Sequence, residues 1–204
     1  MLKKILAAVA VLLVVFVVVV ATRPAEFEIK RTSAPIKAPA AVVYAQVVDF
    51  KAWGAWSPWE KLDPAMKRTF AGAAAGLGAK YAWDGEKAGA GSMEIIEATE
   101  GRHVGIDLQF TRPFPASNPT SIDFAQSGDG TTTVTWKMTG KNGFMSKAFG
   151  LFVDLDKMVG ADFENGLAAM KSVAEKAAAE AEKKAADEAA AAAAAAPTPD
   201  AGTP

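Results

Sequence analysis

Apolar and polar residues alternate in short segments between residues 26 and 139, and Gly, Pro, Asn and Asp separate these segments. A period of two places successive side chains on opposite faces of a β-strand. The residues at 100–102 and 127–130 are typical of tight turns between antiparallel strands. The pattern predicts seven strands, near residues 26–33, 66–71, 79–84, 90–98, 102–111, 119–126 and 131–139.

Two other segments show the spacing of three and four residues that is typical of an amphipathic helix. A short helix is expected from Pro39 to about Phe50, and a long one begins near Met145. The order of strand, short helix, six strands and long helix predicts an α+β fold with an antiparallel sheet around the terminal helix. The apolar face of the long helix is expected to contain Phe149, Phe152, Leu155, Val159, Phe163, Leu167 and Met170.

The chain begins with an uninterrupted apolar run from Ile5 to Ala21. At 1.5 Å per residue a helix of this length spans roughly 25 Å, near the lower limit for crossing a bilayer. The sequence Val19-Val20-Ala21 also resembles a small-x-small cleavage site. Residues 1–24 are therefore expected to form an N-terminal transmembrane anchor or a signal sequence.

Positive charges flank this run on both sides. Lys3 and Lys4 favour a cytoplasmic N-terminus, which would make the protein membrane-anchored with its domain on the periplasmic or extracytoplasmic side. Arg23, Lys30 and Arg31 lie beyond the run and oppose this orientation.

The C-terminal segment is dominated by alanine, the best helix former. No large apolar residue follows Val173 before residue 196, so this stretch is expected to be a solvated extension of the preceding helix. The ending PTPDAGTP cannot continue a helix and is expected to be a flexible tail. The chain thus divides into residues 1–24, a domain over 25–173, and an Ala-rich extension with a Pro-rich tail over 174–204.

Composition excludes several kinds of site. The chain of 204 residues has no cysteine, which rules out disulfides and thiolate metal sites. Its formal net charge is −1 and no Lys/Arg stripe provides a footprint for phosphates, so no nucleic-acid partner is expected. No metal site and no cofactor are expected either.

Four sequence segments resemble a known family: VVDFKAWGAWSPWEKLDPAMKRTF, GLGAKYAWDG, AGSMEIIEA and NGFMSKAFGLFVDLDKMVGADFENGL. They are similar to the polyketide cyclase/dehydrase-like branch of the START-like helix-grip superfamily, also called SRPBCC. The resemblance implies a curved antiparallel sheet of six to seven strands wrapped round a long C-terminal helix, with a deep, mostly apolar cavity between them.

Strand alternation identifies which side chains share the inner face of the sheet. Alternation alone favours a filled core, because large apolar side chains usually pack together, whereas the family resemblance favours a cavity that these residues line. The candidate ligand-binding residues are Trp56, Tyr81, Trp83, Met93, Ile106, Leu108, Phe110, Phe124, Trp136, Met138, Phe152 and Phe163.

No catalytic residues are assigned. His103, the sole histidine, and Asp107 both fall on the outer face by alternation. Arg31 and Arg68 share the alternation of the apolar face, so each either meets an anionic ligand group or reaches out to solvent. A cyclase can act by holding a reactive chain folded, which leaves the enzyme hypothesis open.

Three tryptophans, Trp53, Trp56 and Trp59, follow the short helix at a spacing of three residues. Gly54 and Pro58 prevent one regular helix through them, so an irregular corner is expected. The corner is interpreted as a plug at one end of the sheet, with Trp56 as the tryptophan that contacts ligand.

Three classes of function remain open from the sequence. The first is binding or transport of a hydrophobic small molecule or lipid, with the protein tethered to a membrane through its N-terminal helix. The second is a polyketide cyclase/dehydratase-like enzyme. The third is an envelope protein-interaction domain without a ligand.

Overall fold

The computed structural model describes residues 1–195, which form six α-helices and eight β-strands. The helices are α1 (Leu2–Ala21), α2 (Ala40–Val48), α3 (Trp53–Trp56), α4 (Pro58–Leu62), α5 (Phe144–Phe149) and α6 (Leu155–Ala195). The strands are β1 (Glu26–Thr32), β2 (Lys67–Gly72), β3 (Ala79–Asp84), β4 (Ala90–Thr99), β5 (His103–Arg112), β6 (Ala116–Ser117), β7 (Thr120–Gln126) and β8 (Thr132–Lys141).

All strands belong to one antiparallel sheet in the order β1-β8-β7-β5-β4-β3-β2, with the two-residue β6 paired to β5. The register brings the Glu26–Lys141, Ala90–Arg112 and Lys67–Asp84 pairs to the same end of the sheet. We call this the α1 end, because α1 joins β1 there. The turns after β2 and β4 lie at the opposite end. The predicted α+β fold is confirmed, with the long C-terminal helix packed on the sheet.

The core lies between the inner face of the sheet and the helices α2, α3 and α6. Two indole N–H groups attach α3 to α2: Trp53 Nε1 donates to the carbonyl of Val47 at 2.9 Å, and Trp56 Nε1 donates to that of Gln46 at 3.0 Å. Both tryptophans are buried. These hydrogen bonds satisfy donors that would otherwise be costly to bury.

The predicted corner around the tryptophans consists of two one-turn helices. The break falls at Ser57, between α3 and α4, and Pro58 takes the first position of α4, where its missing N–H costs nothing. The irregular corner is thus present, but Gly54 lies within α3 and the break occurs at Ser57 and Pro58.

The expectation of one long helix from Met145 is wrong. α5 ends at Phe149 with Gly150 as its cap, and α6 begins at Leu155, where the carboxylate of Asp154 accepts a hydrogen bond from the Lys157 N–H at 3.0 Å. An aspartate in this position is a strong helix N-cap, so the sequence starts a new helix instead of continuing the old one. Phe149 and Phe152 consequently leave the apolar face and are 54% and 82% exposed.

α6 is 41 residues long and continues into the alanine-rich segment. Ala174 and Ala178 are buried in the core, so the packed part of the helix extends beyond Val173. A methyl side chain allows the close approach of helix and domain that a larger residue prevents. The Pro-rich tail expected at residues 197–204 lies outside the described residues.

α1 is long and apolar enough to cross a membrane, with a mean hydropathy of 3.1. Its last turn contacts α5, and Val20 is fully buried there. The connection from α1 to β1 is attached to the chain before α5: the Asn142 backbone N–H donates to Ala25, and its side-chain amide donates to Pro24.

Gly91 lies at the centre of a close strand approach, and we expect Gly91→Ala to lower the free energy of unfolding by about 1–3 kcal/mol. A Cβ there would lie 2.6 Å from the ring of Trp83 and would overlap the backbone carbonyl of Gln109 on β5. Because that carbonyl belongs to the sheet, it cannot move without disturbing the strand pairing.

Gly128→Ala provides the matched control, since no atom lies within 4 Å of its added Cβ. We expect this variant to remain within about 0.5 kcal/mol of the wild type. Denaturant unfolding of the full chain in detergent micelles, followed by tryptophan fluorescence, measures both. Equal stability of the two variants would contradict the packing described for β4.

Candidate functional site

A cavity of about 250 Å³ lies between the sheet, the α3–α4 corner and the first turns of α6. Its wall includes Phe110 on β5, Met138 on β8 and Leu155 on α6. These positions fall towards the α1 end of the sheet, whereas the opposite end is filled by packed side chains. The cavity is therefore one half of the space enclosed by sheet and helix.

Most of the sequence-predicted site residues line this cavity. They come from β3, β4, β5, β8 and α6, and they are Tyr81, Trp83, Met93, Leu108, Phe110, Trp136, Met138 and Phe163. Whether each one contacts a ligand stays a prediction.

Four other predicted residues do not line the cavity. Ile106 and Phe124 lie on the inner face but further along their strands, where Phe124 packs edge-on against Tyr44 of α2 at 5.7 Å. Trp56 is buried beneath the α3–α4 corner, and Phe152 projects outward from the α5–α6 connection. Alternation identifies the face of the sheet on which a strand residue lies, but not its position along the strand. This is why Ile106 and Phe124 were selected although they lie beyond the cavity.

The plug interpretation of the tryptophans needs a corresponding correction. Trp53 and Trp59 line the cavity, whereas Trp56, the residue expected to contact ligand, has its indole turned into the core. The spacing of three residues identifies the cluster, but it does not distinguish the rings that line the cavity from the ring that is packed in the core.

The sequence reasoning did not select several further wall residues. Two groups carried a usable signal: Phe27 and Ile29 alternate on β1, and Leu155 and Val159 share the helical face of Phe163. The polar members carried no such signal, because they lie at the start of α4, on α4, in the loop after β6 and at the first residue of β7. The full set is Phe27, Ile29, Trp53, Ser57, Trp59, Glu60, Met66, Ala88, Asn118, Thr120, Leu155 and Val159.

Trp136 is the centre of an aromatic cluster at the inner boundary of the cavity. Its indole stacks on Phe163 with ring centroids 4.2 Å apart and an interplanar angle of 8°. Trp53, Trp56 and Trp59 each approach it edge-on, at 6.0, 5.5 and 5.6 Å. Such offset and edge-to-face pairs add about 0.5–1.5 kcal/mol each beyond the burial of their area.

The indole N–H of Trp136 meets no hydrogen-bond acceptor among the described residues, although the side chain is 98% buried. A buried donor without a partner costs roughly 1–3 kcal/mol. Trp136 also lines the cavity, although its Nε1 atom is itself buried, so a ligand oxygen or nitrogen that reached it would recover that cost.

A charged group also faces the cavity. The carboxylate of Glu60, 12% exposed, accepts a hydrogen bond from the Tyr81 hydroxyl on one oxygen and from Arg68 Nε on the other, both at 2.6 Å. Arg68 further donates to the carbonyls of Met66, Pro64 and Glu60. A buried charge is tolerated when it is paired and hydrogen-bonded in this way.

The same contacts raise the pKa values of Tyr81 and Arg68. Burial raises the pKa of Tyr81, and its hydrogen bond to Glu60 adds to this effect because ionised Tyr81 would face a carboxylate. The hydrogen bond to Glu60 also raises the pKa of Arg68. At neutral pH Tyr81 is thus a neutral phenol and Arg68 a guanidinium, and both donate hydrogen bonds to Glu60.

The other arginine on the apolar face, Arg31, is paired outside the cavity wall. Its guanidinium donates to Asp156 at 3.0 Å and to Glu164 at 2.8 Å, so it connects β1 to α6. His103 lies on the outer face, as alternation indicates, between Asp123 at 2.6 Å and Glu97 at 3.2 Å. Neither residue lines the cavity.

A protein-family model described as polyketide cyclase/dehydrase and lipid transport matches residues 29–175. This match confirms the resemblance identified from the sequence. In a comparison with curated proteins, none matches the chain.

Solved structures share the fold at low sequence identity. Protein CV1439 from Chromobacterium violaceum is 16% identical with a TM-score of 0.52, covering 74% of this chain and 99% of its own. A protein from Nitrosospira multiformis is 15% identical with a TM-score of 0.51, covering 72% and 94%. DynU16, a protein in the dynemicin biosynthetic locus, is 12% identical with a TM-score of 0.51, covering 74% and 48%.

The hydrogen bond between Tyr81 and Glu60 predicts a loss of stability at alkaline pH. The pKa of Tyr81 is raised in the folded chain, so between about pH 10 and that higher value only the unfolded chain releases the proton. This release favours unfolding. The contribution of Tyr81 to the free energy of unfolding is therefore complete below about pH 10 and falls as the pH rises above it.

The measurement is the free energy of unfolding at neutral pH and at several values above pH 10. We expect Tyr81→Phe to be less stable at neutral pH by about 1.5–3 kcal/mol, through loss of a hydrogen bond to a charged group. Its further decline above pH 10 should be shallower than that of the wild type. Parallel curves for Tyr81→Phe and wild type would refute the arrangement.

Proposed function

Since the chain belongs to the polyketide cyclase/dehydrase and lipid transport family, we propose that it binds a hydrophobic small molecule or lipid in the cavity and is tethered to a membrane by α1. The observation that carries the proposal is an unfilled, mainly aromatic and aliphatic cavity between the sheet and α6. Transfer of an apolar ligand from water into such a space is favourable in proportion to the area it buries.

The cavity wall also indicates the polarity of the ligand. Its volume of about 250 Å³ lies just below the usual range for small-molecule sites, which is about 300–1,000 Å³. Polar side chains are few, and Glu60 is already paired with Tyr81 and Arg68. The Trp136 N–H remains available for one acceptor. A mainly apolar molecule with a carbonyl, hydroxyl or ether oxygen fits these features best.

Membrane tethering is supported by the length and hydropathy of α1. Its residues from Leu2 to Val19 lie outside the core, which is unusual for a helix of such hydropathy in contact with water. In this proposal α1 is retained in the mature chain as a permanent anchor. The Lys3–Lys4 pair supports a domain on the extracytoplasmic side, whereas Arg23 beyond α1 opposes it.

A second candidate function is an enzyme of the cyclase or dehydratase type. The observation in its favour is the Glu60 carboxylate in the cavity wall, since acid–base chemistry needs a titratable group within reach of the substrate. Against it, Glu60 is already engaged by Tyr81 and Arg68, one on each carboxylate oxygen, so a substrate would compete with these partners for the carboxylate. Binding without chemistry involves no such competition.

Filling the cavity should abolish ligand binding, and Leu108→Trp tests this directly. Leu108 lines the cavity, so the larger side chain occupies the space of the ligand. Gln109→Trp adds the same bulk at the next position of β5, which is not part of the cavity wall. Native mass spectrometry of the full chain, purified in mild detergent from the cells that make it, measures retained small molecules.

We expect a discrete adduct on the wild type and on Gln109→Trp, and its loss from Leu108→Trp and from Trp136→Ala. Trp136→Ala also removes the centre of the aromatic cluster, so its unfolding transition is measured in parallel. A wild-type chain that carries no adduct and takes up nothing from a lipid extract overturns the proposal in favour of a protein-interaction function. Product formation that stops in Glu60→Gln favours the enzyme instead.

Anchoring predicts that α1 is retained in the mature protein. The intact mass of the chain from a membrane fraction should include Leu2–Ala21, and the chain should stay with the membranes after alkaline carbonate washing. Substituting Val14 and Val15 by Arg is expected to prevent insertion, since each charge costs about 2.5–3.5 kcal/mol at the helix centre. A mature N-terminus just after Ala21 would identify α1 as a cleaved signal sequence.

A further inference from the structure

The segment around α5 exposes an unusual amount of apolar surface. Phe144, Met145, Phe149 and Phe152 are between 50% and 82% exposed within nine consecutive positions. We call residues 144–152 the α5 segment. Elsewhere in the domain, exposed large apolar side chains such as Leu77 and Ile96 occur on separate elements. A cluster of this kind on a protein surface generally marks a contact with another apolar phase or partner.

The α5 segment lies directly beside the end of α1. α1 contacts α5, and the two Asn142 hydrogen bonds to Pro24 and Ala25 attach the start of α5 to the chain that leaves α1. The burial of Val20 adds a packing contact at the same junction. The exposed apolar side chains are thus held at the level where the apolar helix ends.

A cleft of about 480 Å³ lies between the end of α1 and the α5–α6 connection. Phe27 and Leu155 belong both to its wall and to the wall of the ligand cavity. The cavity and the cleft therefore adjoin, with these two side chains between them. The cleft lies on the α1 side of the cavity, whereas the opposite end of the sheet is packed.

We propose that the α5 segment lies in the interfacial region of the same bilayer that α1 spans, and that the cleft gives the cavity a lateral entrance from the lipid. The inference rests on the proposed tethering by α1. Amphipathic segments at an interface bury their apolar side chains about 5–10 Å below the headgroups, a depth within reach of phenylalanine and methionine on a one-turn helix.

The bilayer fits the α5 segment better than a second protein does. Asn142, just before the segment, is hydrogen-bonded to Pro24 and Ala25, just after α1. Insertion of α1 therefore brings the segment to the lipid surface without any further partner. The charges around the cleft are mixed: Arg23 and Lys147 are basic and Asp154 is acidic. This balance supports contact through apolar side chains rather than through electrostatic attraction to anionic lipid.

Single cysteines provide a direct test, because the natural chain has none. The full chain is reconstituted into vesicles of phosphatidylcholine with a minority of phosphatidylglycerol. Phe152→Cys carries an environment-sensitive fluorophore in the α5 segment. Leu77→Cys, which is similarly exposed in the turn after β2 at the opposite end of the sheet, is the matched control. Val11→Cys reports the insertion of α1 itself.

We expect nitroxide-labelled lipids in the vesicles to quench the fluorophore at residue 152 several-fold more than at residue 77, together with a blue shift at 152 only. Met145→Cys should behave like Phe152→Cys, which guards against an effect of one substitution.

Two results would overturn the inference, and they separate it from the proposed function. Quenching at residue 11 without quenching at residues 145 and 152 leaves the tether intact but places the α5 segment in water. Absence of quenching at residue 11 removes the tether and the membrane contact together. Ligand retention in the cavity is measured separately by mass spectrometry. A chain that retains no ligand therefore contradicts the proposed function but not the position of the α5 segment at the bilayer.

Discussion

Trp136 lies parallel to Phe163 at 4.2 Å and receives the edges of three other tryptophans. This contact joins β8 to α6 and to the α3–α4 corner, and it sets how far the helix stands from the sheet. On one side of the cluster the apolar side chains interdigitate as in an ordinary core, and on the other side they leave an open cavity. Because bulky rings hold the elements apart at this point, the space on the α1 side cannot close by simple collapse.

Two polar groups of the cavity wall, Glu60 and the Trp136 N–H, differ in whether they have hydrogen-bond partners within the protein. Glu60 is held by Tyr81 and Arg68 in a mainly apolar wall, so its charge is compensated by Arg68 within the protein. The Trp136 N–H, in contrast, is left without an acceptor among the described residues.

Periodicity was sufficient to predict the strands and their inner face, because sheet and solvent impose a strict alternation on each strand. Periodicity did not predict which part of the inner face is covered by packed side chains and which part borders the cavity. Leu108 lines the cavity, whereas Ile106, two positions earlier on the same face, lies in the packed core. Depth along a strand depends on which helix covers it, and this is decided by contacts remote in sequence. Glu60 was missed for a related reason, since its role comes from a short helix that only the surrounding fold positions. The helix break before α6 did have a local signal in the sequence, because Asp154 is a favourable N-cap residue. The regular spacing of apolar residues on both sides of it led instead to the prediction of one continuous helix.

The first strand of the sheet pairs with the last and with no other: β1 lies at the edge beside β8, and Thr32 and Thr135 are 103 positions apart. During synthesis β1 emerges before the other strands of the sheet, yet it has no strand to pair with until β8 has been made. Closing so long a loop slows folding, since its entropy is lost before the strand contacts repay it. In the nascent domain β1 is therefore an unpaired strand for most of its translation, and such strands favour aggregation unless a chaperone covers them.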